Sequence, residues 1–437
     1  MYERLQRGIL MCLIVSILLC CGGCMEPTVE PVSTKPTPPP RSELPAVQFD
    51  PTPVKHPLAD AYKEQPTAYV NFTQTHQEPR EVYVPVEEIM AYRTQYPDCT
   101  GTWFRDQLQG EDLCIYNCYL YALEHCYTGF VMYVEDNDRD FSYIRDAVSM
   151  DTPFIEQNRT HYERVNDWPT DYWGEQLHVG MDQFAVERWG MRMEALVKCR
   201  QIVAEIPAEY TQLEKMEYVF RYVCDNVEYV AYDAMKDEDF LYDAVIKGQT
   251  VCDGYSNMLM LLFRLIGVEC CEAAGYDVDL SLDEVYEDAG GHTWVVAKVD
   301  GNWYNFDPTY EDTKGDDWES DTMYFGFSDL LVDKKYLDCE EIRPKCSELS
   351  RDFSYADLTV SSITEGTQVK KIARLVEQRL KDGETTTTIG LHGIPTEKQY
   401  DTFFDKYGKY VTMGHYVEVS RMEMGQSTLL FLTAKTE

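Results

Sequence analysis

The 437-residue chain has little positive charge and no familiar cysteine pattern. Its 39 lysines and arginines face 76 aspartates and glutamates, a net charge of −37. Such a surface repels nucleic acid and anionic lipid, so we expect no nucleic-acid partner. Four of the 15 cysteines precede residue 25; the other eleven include no CxxC pair, and the eight histidines are scattered. We therefore expect no metal site and interpret most of these cysteines as small buried hydrophobic residues.

The N-terminus lacks an apolar run long enough for a comfortable membrane span. Two arginines precede a short apolar run at residues 9–19, which is the pattern of a signal peptide. Residues 1–24 end in LLCCGGC, which resembles the signal of a bacterial lipoprotein, with Cys24 as the lipidated residue and Cys21 as the second candidate. An ordinary secretory signal and a short membrane anchor are the alternatives.

A proline-rich segment follows the predicted signal. Residues 25–57 contain ten of the 20 prolines and almost no apolar clusters. This composition favours an extended tether over a folded core. We expect a protein that is lipid-anchored to the cell membrane and works on its extracytoplasmic side.

The folded part divides into three predicted regions. Residues 58–200 are expected to be mainly helical, because apolar and aromatic residues recur at three- and four-residue spacing through residues 87–147. Residues 201–350 carry the candidate site described below. Residues 351–437 predict a small α+β domain with the order strand, helix, strand, helix and two strands.

Two helices are predicted ahead of the candidate site, at residues 182–206 and 210–227, with Pro207 between them. A third, at residues 253–266, has one apolar stripe and ends before Gly267. The period then changes to two in GHTWVVAKV and NWYNFDPTY, which predicts two strands joined by a tight turn.

Cys252 is the cysteine best placed for chemistry. It lies directly before the predicted helix of residues 253–266, where unpaired N–H groups and the helix dipole favour a thiolate. Cys224 lies inside a predicted helix and Cys270 and Cys271 on a predicted buried strand, so they lack this advantage. We expect the pKa of the Cys252 thiol to lie below its ordinary value.

The predicted hairpin supplies a histidine and an aspartate. A two-residue turn at Asp300-Gly301 makes Trp294 face Asp307, and His292 face Thr309. His292 and Asp307 then lie on one face of the sheet as diagonal neighbours, about 7 Å apart between Cα atoms. In this arrangement Asp307 would orient the imidazole, His292 would accept the thiol proton, and Cys252 would form an acyl-enzyme.

The stretches GQTVCDGYSNML, LIGVECCEAAGY and GHTWVVAKVDGNWYNFDPTYED resemble the transglutaminase-like superfamily over about residues 205–335. The resemblance implies an α+β, papain-like thiol enzyme fold with Cys252, His292 and Asp307 as its catalytic triad. It further implies that Tyr229 is an oxyanion candidate. No calcium-loop pattern is present, so we expect no cofactor.

Three functions fit this sequence. The first is a thiol enzyme that hydrolyses protein or peptide amides or transfers their acyl group to an amine. The second is a peptidase or amidase that trims peptides at the cell envelope. The third is a non-catalytic binding scaffold at the cell surface, built on the same fold. In the first two, the partner is a protein or peptide substrate.

Overall fold

The computed structural model describes most of the chain after residue 64. The described residues are 58, 61, 65–75, 79–135, 140–155, 161–165, 175–230, 239–277, 290–313, 323–331 and 343–436. The predicted signal peptide, its Cys24 and the tether lie outside them. Among these described residues, no helix has both the length and the apolar character needed to cross a membrane.

The N-terminal region is built around a five-stranded sheet. Its strands pair in the order β2-β1-β3-β5-β4, and every pairing is antiparallel. Side chains of β1 alternate between buried and half-buried, so one face packs on the core. The strands are β1 (Tyr69–Gln74), β2 (Arg80–Pro85), β3 (Gly129–Val134), β4 (His161–Val165) and β5 (Glu175–Gly180).

The prediction that residues 58–200 are mainly helical did not include this sheet. Three helices do lie between the strands: α1 (Val86–Ala91), α2 (Gly110–Glu124) and α3 (Ser142–Asp151). Most side chains of α2 are buried, so aromatic residues on all its sides gave a strong helical signal. The neighbouring strands have only five or six residues, too few to show a clear alternation.

The next two helices confirm the sequence prediction. They are α4 (Ala185–Ala204) and α5 (Gln212–Asn226). Pro207 lies between them, and Thr211 begins α5 with a capping box, in which it exchanges hydrogen bonds with Glu214.

The central layer consists of one buried helix, α6 (Cys252–Leu265), against a four-stranded antiparallel sheet. A π-helix at Asp243–Lys247 and a short parallel pair, β6 (Glu228–Tyr229) with β7 (Gln249–Thr250), lead into α6. The sheet has the order β11-β10-β9-β8. Its strands are β8 (Cys270–Asp277), β9 (Gly290–Val299), β10 (Asn302–Phe306) and β11 (Phe325–Phe327).

The β9–β10 hairpin has the predicted register, with Val299 opposite Asn302. Its second strand is shorter than predicted, because it ends at Phe306 and a helix, α7 (Pro308–Thr313), begins there. Proline suits the first position of a helix, and Asp307 caps this one by accepting a hydrogen bond from the Tyr310 N–H at 3.0 Å. The expectation that His292 faces Thr309 across the hairpin is therefore wrong, although both His292 and Asp307 keep their places in the site.

The C-terminal part has the predicted order of elements. Its mixed sheet has the order β12-β13-β15-β14, with α8 and α9 contributing to its own apolar core. A second apolar cluster joins Met323, Phe327 and Leu331 to this sheet through Met424 and Leu429. The elements are β12 (Leu358–Val360), α8 (Gly366–Lys381), β13 (Thr386–His392), α9 (Glu397–Tyr410), β14 (His415–Met424) and β15 (Ser427–Thr436).

The cysteines behave as interpreted from the sequence. Of the ten that the structure describes, nine are buried and Cys224 is half-buried. Apart from Cys252 and Cys224, they pack in the apolar core as small side chains.

Candidate active site

The candidate nucleophile stands at the start of α6. Cys252 is the first helical residue after an extended Val251, and it is buried, with 7% of its surface exposed. The chain that leads into this helix packs tightly against its first turn, which explains the glycine two positions later. A Cβ at Gly254 would collide with the Thr250 side chain and lie 2.7 Å from the Phe240 carbonyl oxygen. The sequence therefore folds so that the positive end of the α6 dipole lies at the sulfur.

The histidine and the aspartate form a buried hydrogen-bonded pair. His292 Nε2 lies 2.8 Å from Asp307 Oδ2, and the two side chains are 6% and 0% exposed. Burial alone would lower the pKa of His292. The Asp307 carboxylate and its hydrogen bond outweigh burial and raise the pKa of His292 to about 10.

The same imidazole hydrogen-bonds to the Cys252 sulfur. Because Nε2 is held by Asp307, Nδ1 is the nitrogen left for the sulfur. Strand β10 ends opposite Val295, so the earlier part of β9 has no β10 residue beside it. Thr293, in that part, donates its backbone N–H to the sulfur. The start of α6, the His292 imidazole and the backbone of β9 thus all lie at the Cys252 sulfur.

The expected lowering of the Cys252 pKa is wrong. Burial is the largest influence and raises the pKa of the Cys252 thiol, and the nearby Asp253 carboxyl raises it further. The hydrogen bond and positive charge of His292 and the Thr293 N–H act in the opposite direction without outweighing burial. The sequence indicated the helix start but not how deeply the sulfur is buried.

Aromatic side chains hold the imidazole from two sides. The Trp294 ring is stacked on His292 with centroids 6.1 Å apart, and the Tyr310 ring lies 4.7 Å away. Trp294 Nε1 donates to Asn305 Oδ1 at 3.0 Å, and Asn305 Nδ2 donates to the Phe327 carbonyl at 3.1 Å. Trp294 therefore forms a wall of the site.

Sequence reasoning missed two residues that support this arrangement. Asn305 is fully buried. The sequence feature that could have indicated it is an amide side chain within the otherwise apolar end of a predicted strand. Asp253 lies beside the nucleophile, with Oδ2 3.6 Å from the Cys252 sulfur. An aspartate at the start of a helix is typical of a helix cap, so its place beside the sulfur was not evident from the sequence.

Strand pairing brings Tyr229 close to the nucleophile. It is opposite Thr250 in the β6–β7 pair, two residues before Cys252. Its ring is 39% exposed and 6.4 Å from that of Tyr255. Its role as an oxyanion donor stays a prediction.

Metal ligands were not expected at this site. In the part of the chain that the structure describes, no group of three or more histidine, cysteine, aspartate or glutamate residues is arranged to hold a metal ion. The site as built offers acid–base and nucleophilic chemistry from side chains.

A family model supports the sequence resemblance. Residues 199–308 match the model described as the transglutaminase-like superfamily. This segment is a transglutaminase-like domain. The match includes Cys252, His292 and Asp307, and it confirms the α+β fold with a transglutaminase-like, papain-like core.

The transglutaminase-like segment is similar to parts of two curated proteins. They are the kyphoscoliosis peptidases of Homo sapiens, at 28% identity over 116 residues, and of Mus musculus, at 25% identity over 117 residues. Each alignment covers 25% of this chain and 18% of the relative. The chain thus spans about a fifth of the length of these relatives.

The chain also matches parts of several solved structures, with low sequence identity and low TM-scores. A putative cysteine protease from Cytophaga hutchinsonii is 14% identical, with a TM-score of 0.21, covering 36% of this chain and 68% of the other. The periplasmic domain of TgpA from Pseudomonas aeruginosa is 17% identical, with a TM-score of 0.21, covering 31% and 54%. A TGase structure is 11% identical, with a TM-score of 0.23, covering 57% and 66%.

Proposed function

We propose that the protein is a thiol enzyme that acts on amide bonds of proteins or peptides through an acyl-enzyme on Cys252. The observation that carries this proposal is the buried 2.8 Å pair of His292 and Asp307, whose imidazole also hydrogen-bonds to the Cys252 sulfur. A buried imidazole held by a carboxylate on one nitrogen and by a thiol on the other has the arrangement of a base and its nucleophile.

The reaction proceeds in two halves. His292 holds the thiol proton while the sulfur attacks the amide carbon, and the oxyanion is stabilised by N–H donors at the start of α6. The carbon–nitrogen bond then breaks, and His292 gives the proton to the departing amine. Water or a second amine attacks the thioester, loses a proton to His292, and the carbon–sulfur bond breaks with the thiol restored. The products are an acid or a new amide.

The location of the enzyme is also a proposal. The LLCCGGC segment and the proline-rich residues 25–57 support an anchor at Cys24 and a tether that holds the domain outside the cytoplasm. Substrates would then be proteins or peptides of the cell envelope or surface. The names of the similar proteins, a peptidase and a putative cysteine protease, agree with amide chemistry.

Casein is a general substrate with which both hydrolysis and acyl transfer to an amine can be tested. Purified protein is incubated with dimethylated casein and a fluorescent primary amine, and both casein fragmentation and amine incorporation are measured. We expect one of them in the wild type, loss in Cys252→Ala and in His292→Ala, and retention in Cys224→Ala, which removes the half-buried cysteine whose thiol lies 3.7 Å from the Pro308 carbonyl oxygen.

A scaffold without chemistry gives a different result. Iodoacetamide labelling of Cys252 would then proceed at the same rate in wild type and His292→Ala, and casein would remain unchanged in both. That pair of results contradicts the enzyme proposal and favours a binding module.

A further inference from the structure

The Tyr255 hydroxyl joins the helix that carries the nucleophile to the helix that follows the aspartate. Tyr255 lies on α6, three residues after Cys252, and is fully buried. Its hydroxyl donates to Asp312 Oδ2 at 2.5 Å, and Asp312 lies near the end of α7. The same hydroxyl lies 3.0 Å from the carbonyl oxygen of Val227, directly after α5. No acyl-transfer step described above uses this tyrosine.

The start of α7 holds the imidazole of the candidate site. Asp307 caps this helix and hydrogen-bonds to His292, and the Tyr310 ring lies 4.7 Å from the His292 ring. The helix has only six residues, too few to be stable on its own. Its orientation therefore depends on the contacts that it makes, and the bond between Asp312 and Tyr255 ties it to α6.

The tyrosine is well suited to hold the two helices together. Burial, followed by the hydrogen bond and the charge of Asp312, raises the pKa of Tyr255, so the hydroxyl keeps its proton. A carboxylate is a strong acceptor for such a proton. Removing the hydroxyl alone would break the bond between α6 and α7 and leave in place the ring that fills the core.

We propose that Tyr255 is a positioning residue, whose hydroxyl holds α6 to α7 and thereby keeps the Cys252 sulfur in contact with the His292 imidazole. The sulfur is carried by α6, whereas the imidazole is oriented by two groups at the start of α7. A displacement of about 1 Å between reacting groups can lower a rate about 100-fold. The part of this contact in turnover rests on the proposed function, but the contact itself can be tested without turnover.

Alkylation of Cys252 by iodoacetamide provides this test. The thiolate attacks the carbon that bears iodine, a thioether forms and iodide leaves, so the rate depends on how well the imidazole supports the thiolate. Rates at Cys252 are measured by peptide mass spectrometry at pH 7.5 in full-length wild type, Tyr255→Phe, His292→Ala and the double variant. We expect Tyr255→Phe to lower the rate by about tenfold, towards that of His292→Ala.

The double variant separates positioning from a general structural effect. If Tyr255 acts through the imidazole, its replacement has no further effect once His292 is alanine, so the double variant and His292→Ala should react at equal rates. Tyr143→Phe is the matched control, because the Tyr143 hydroxyl also donates to a buried carboxylate, that of Asp112, at 2.5 Å. It should lower the melting temperature about as much as Tyr255→Phe and leave the alkylation of Cys252 unchanged.

Replacements of Asp312 test the same bond from its other side. Asp312→Asn keeps an acceptor oxygen for the Tyr255 hydroxyl and should retain most of the wild-type rate. Asp312→Ala removes the acceptor and should reproduce the loss in Tyr255→Phe. Because Asp312 is only half-buried, Asp312→Ala also tests the proposal should Tyr255→Phe not fold.

A wild-type rate in Tyr255→Phe, or a further fall of the same size in the His292→Ala background, overturns the positioning role. Casein turnover together with either result retains the enzyme and refutes only this role. Failure of the casein test, with an effect of Tyr255 that disappears in His292→Ala, refutes the enzyme but retains the role. Equal alkylation rates in wild type and His292→Ala leave no imidazole effect to support and also overturn it.

Discussion

Asp307 uses its two carboxylate oxygens for two different partners. Oδ2 lies 2.8 Å from His292 Nε2, and Oδ1 accepts the Tyr310 N–H at 3.0 Å at the start of α7. One side chain therefore caps a helix and orients the imidazole. The Asp307 carboxylate cannot rotate without losing its hydrogen bond to the start of α7. This bond therefore also fixes the orientation of His292.

Replacing Asp307 with asparagine separates these two roles. Asparagine caps helices about as well as aspartate, so the fold should tolerate Asp307→Asn. Without the carboxylate, the pKa of His292 should fall from about 10 to near or below 6.5, and turnover should fall by at least about 100-fold. Histidine NMR titration and casein turnover measure the two effects. An unshifted His292 titration in the folded variant would contradict this role for Asp307.

The same pair predicts how stability depends on pH. The folded-state pKa of His292, about 10, is above its ordinary value of 6.5, so the folded state binds more protons between these pH values. The contribution is therefore complete below pH 6.5 and lost as the pH rises through about 10. At about 1.4 kcal/mol per pKa unit, the loss amounts to a few kcal/mol.

Urea unfolding between pH 6 and pH 10.5 measures this dependence. The difference in unfolding free energy between wild type and His292→Gln should shrink steadily across the range. The large net negative charge affects both proteins alike and cancels in the difference. A difference that is constant with pH would contradict a raised pKa of His292 in the folded state.

The hairpin that carries the triad partners was predictable because its determinants are local. Asp300 and Gly301 both adopt positive φ in the turn, and strict alternation on both sides fixes the register, since a shift by one residue would expose the buried face. The C-terminal elements were predictable for the same reason, because each shows its own period and its own boundary residues.

The N-terminal sheet was not predictable, because its pairing is not local. Strand β1 pairs with β3 across about 55 residues that include β2 and two helices. The same limit applies to Glu272, whose partner Val295 lies 23 positions away. Its burial depends on how the sheet packs on α6, which no local pattern encodes.

Asn305 provides a test of how the wall of the site is held. In Asn305→Leu, Trp294 Nε1 and the Phe327 carbonyl both lose a buried hydrogen-bond partner. At about 1–3 kcal/mol for each of the two unsatisfied groups, unfolding free energy should fall by about 2–6 kcal/mol. Asn302→Leu changes an exposed residue on the same strand and should cost less than about 0.5 kcal/mol. Equal melting temperatures for the two variants would contradict the proposed support.

Two glycines in helices should respond oppositely to alanine. At Gly254 a Cβ would meet the Thr250 side chain and the Phe240 carbonyl oxygen, whereas nothing lies within 4 Å of a Cβ at Gly190 in α4. We expect Gly254→Ala to destabilise the fold by about 1–3 kcal/mol through overpacking. Gly190→Ala should stabilise it by about 0.5–1 kcal/mol through helix propensity. Thermal melts measure both, and a stabilised Gly254→Ala would contradict the close packing at the nucleophile.

Glu272 should cost the protein stability at neutral pH. Its folded-state pKa lies above that of the unfolded chain, so the folded state binds more protons and stability falls as the pH rises above about 4.5. Glu272→Met removes the buried carboxyl while keeping most of the volume, and should raise unfolding free energy at pH 7.5 by about 1–3 kcal/mol. The gain should vanish near pH 4, where both states hold the carboxyl proton. Glu269→Gln, as the exposed control, should show neither effect. A variant less stable than wild type at pH 7.5 would mean that Glu272 has a partner that supports the fold.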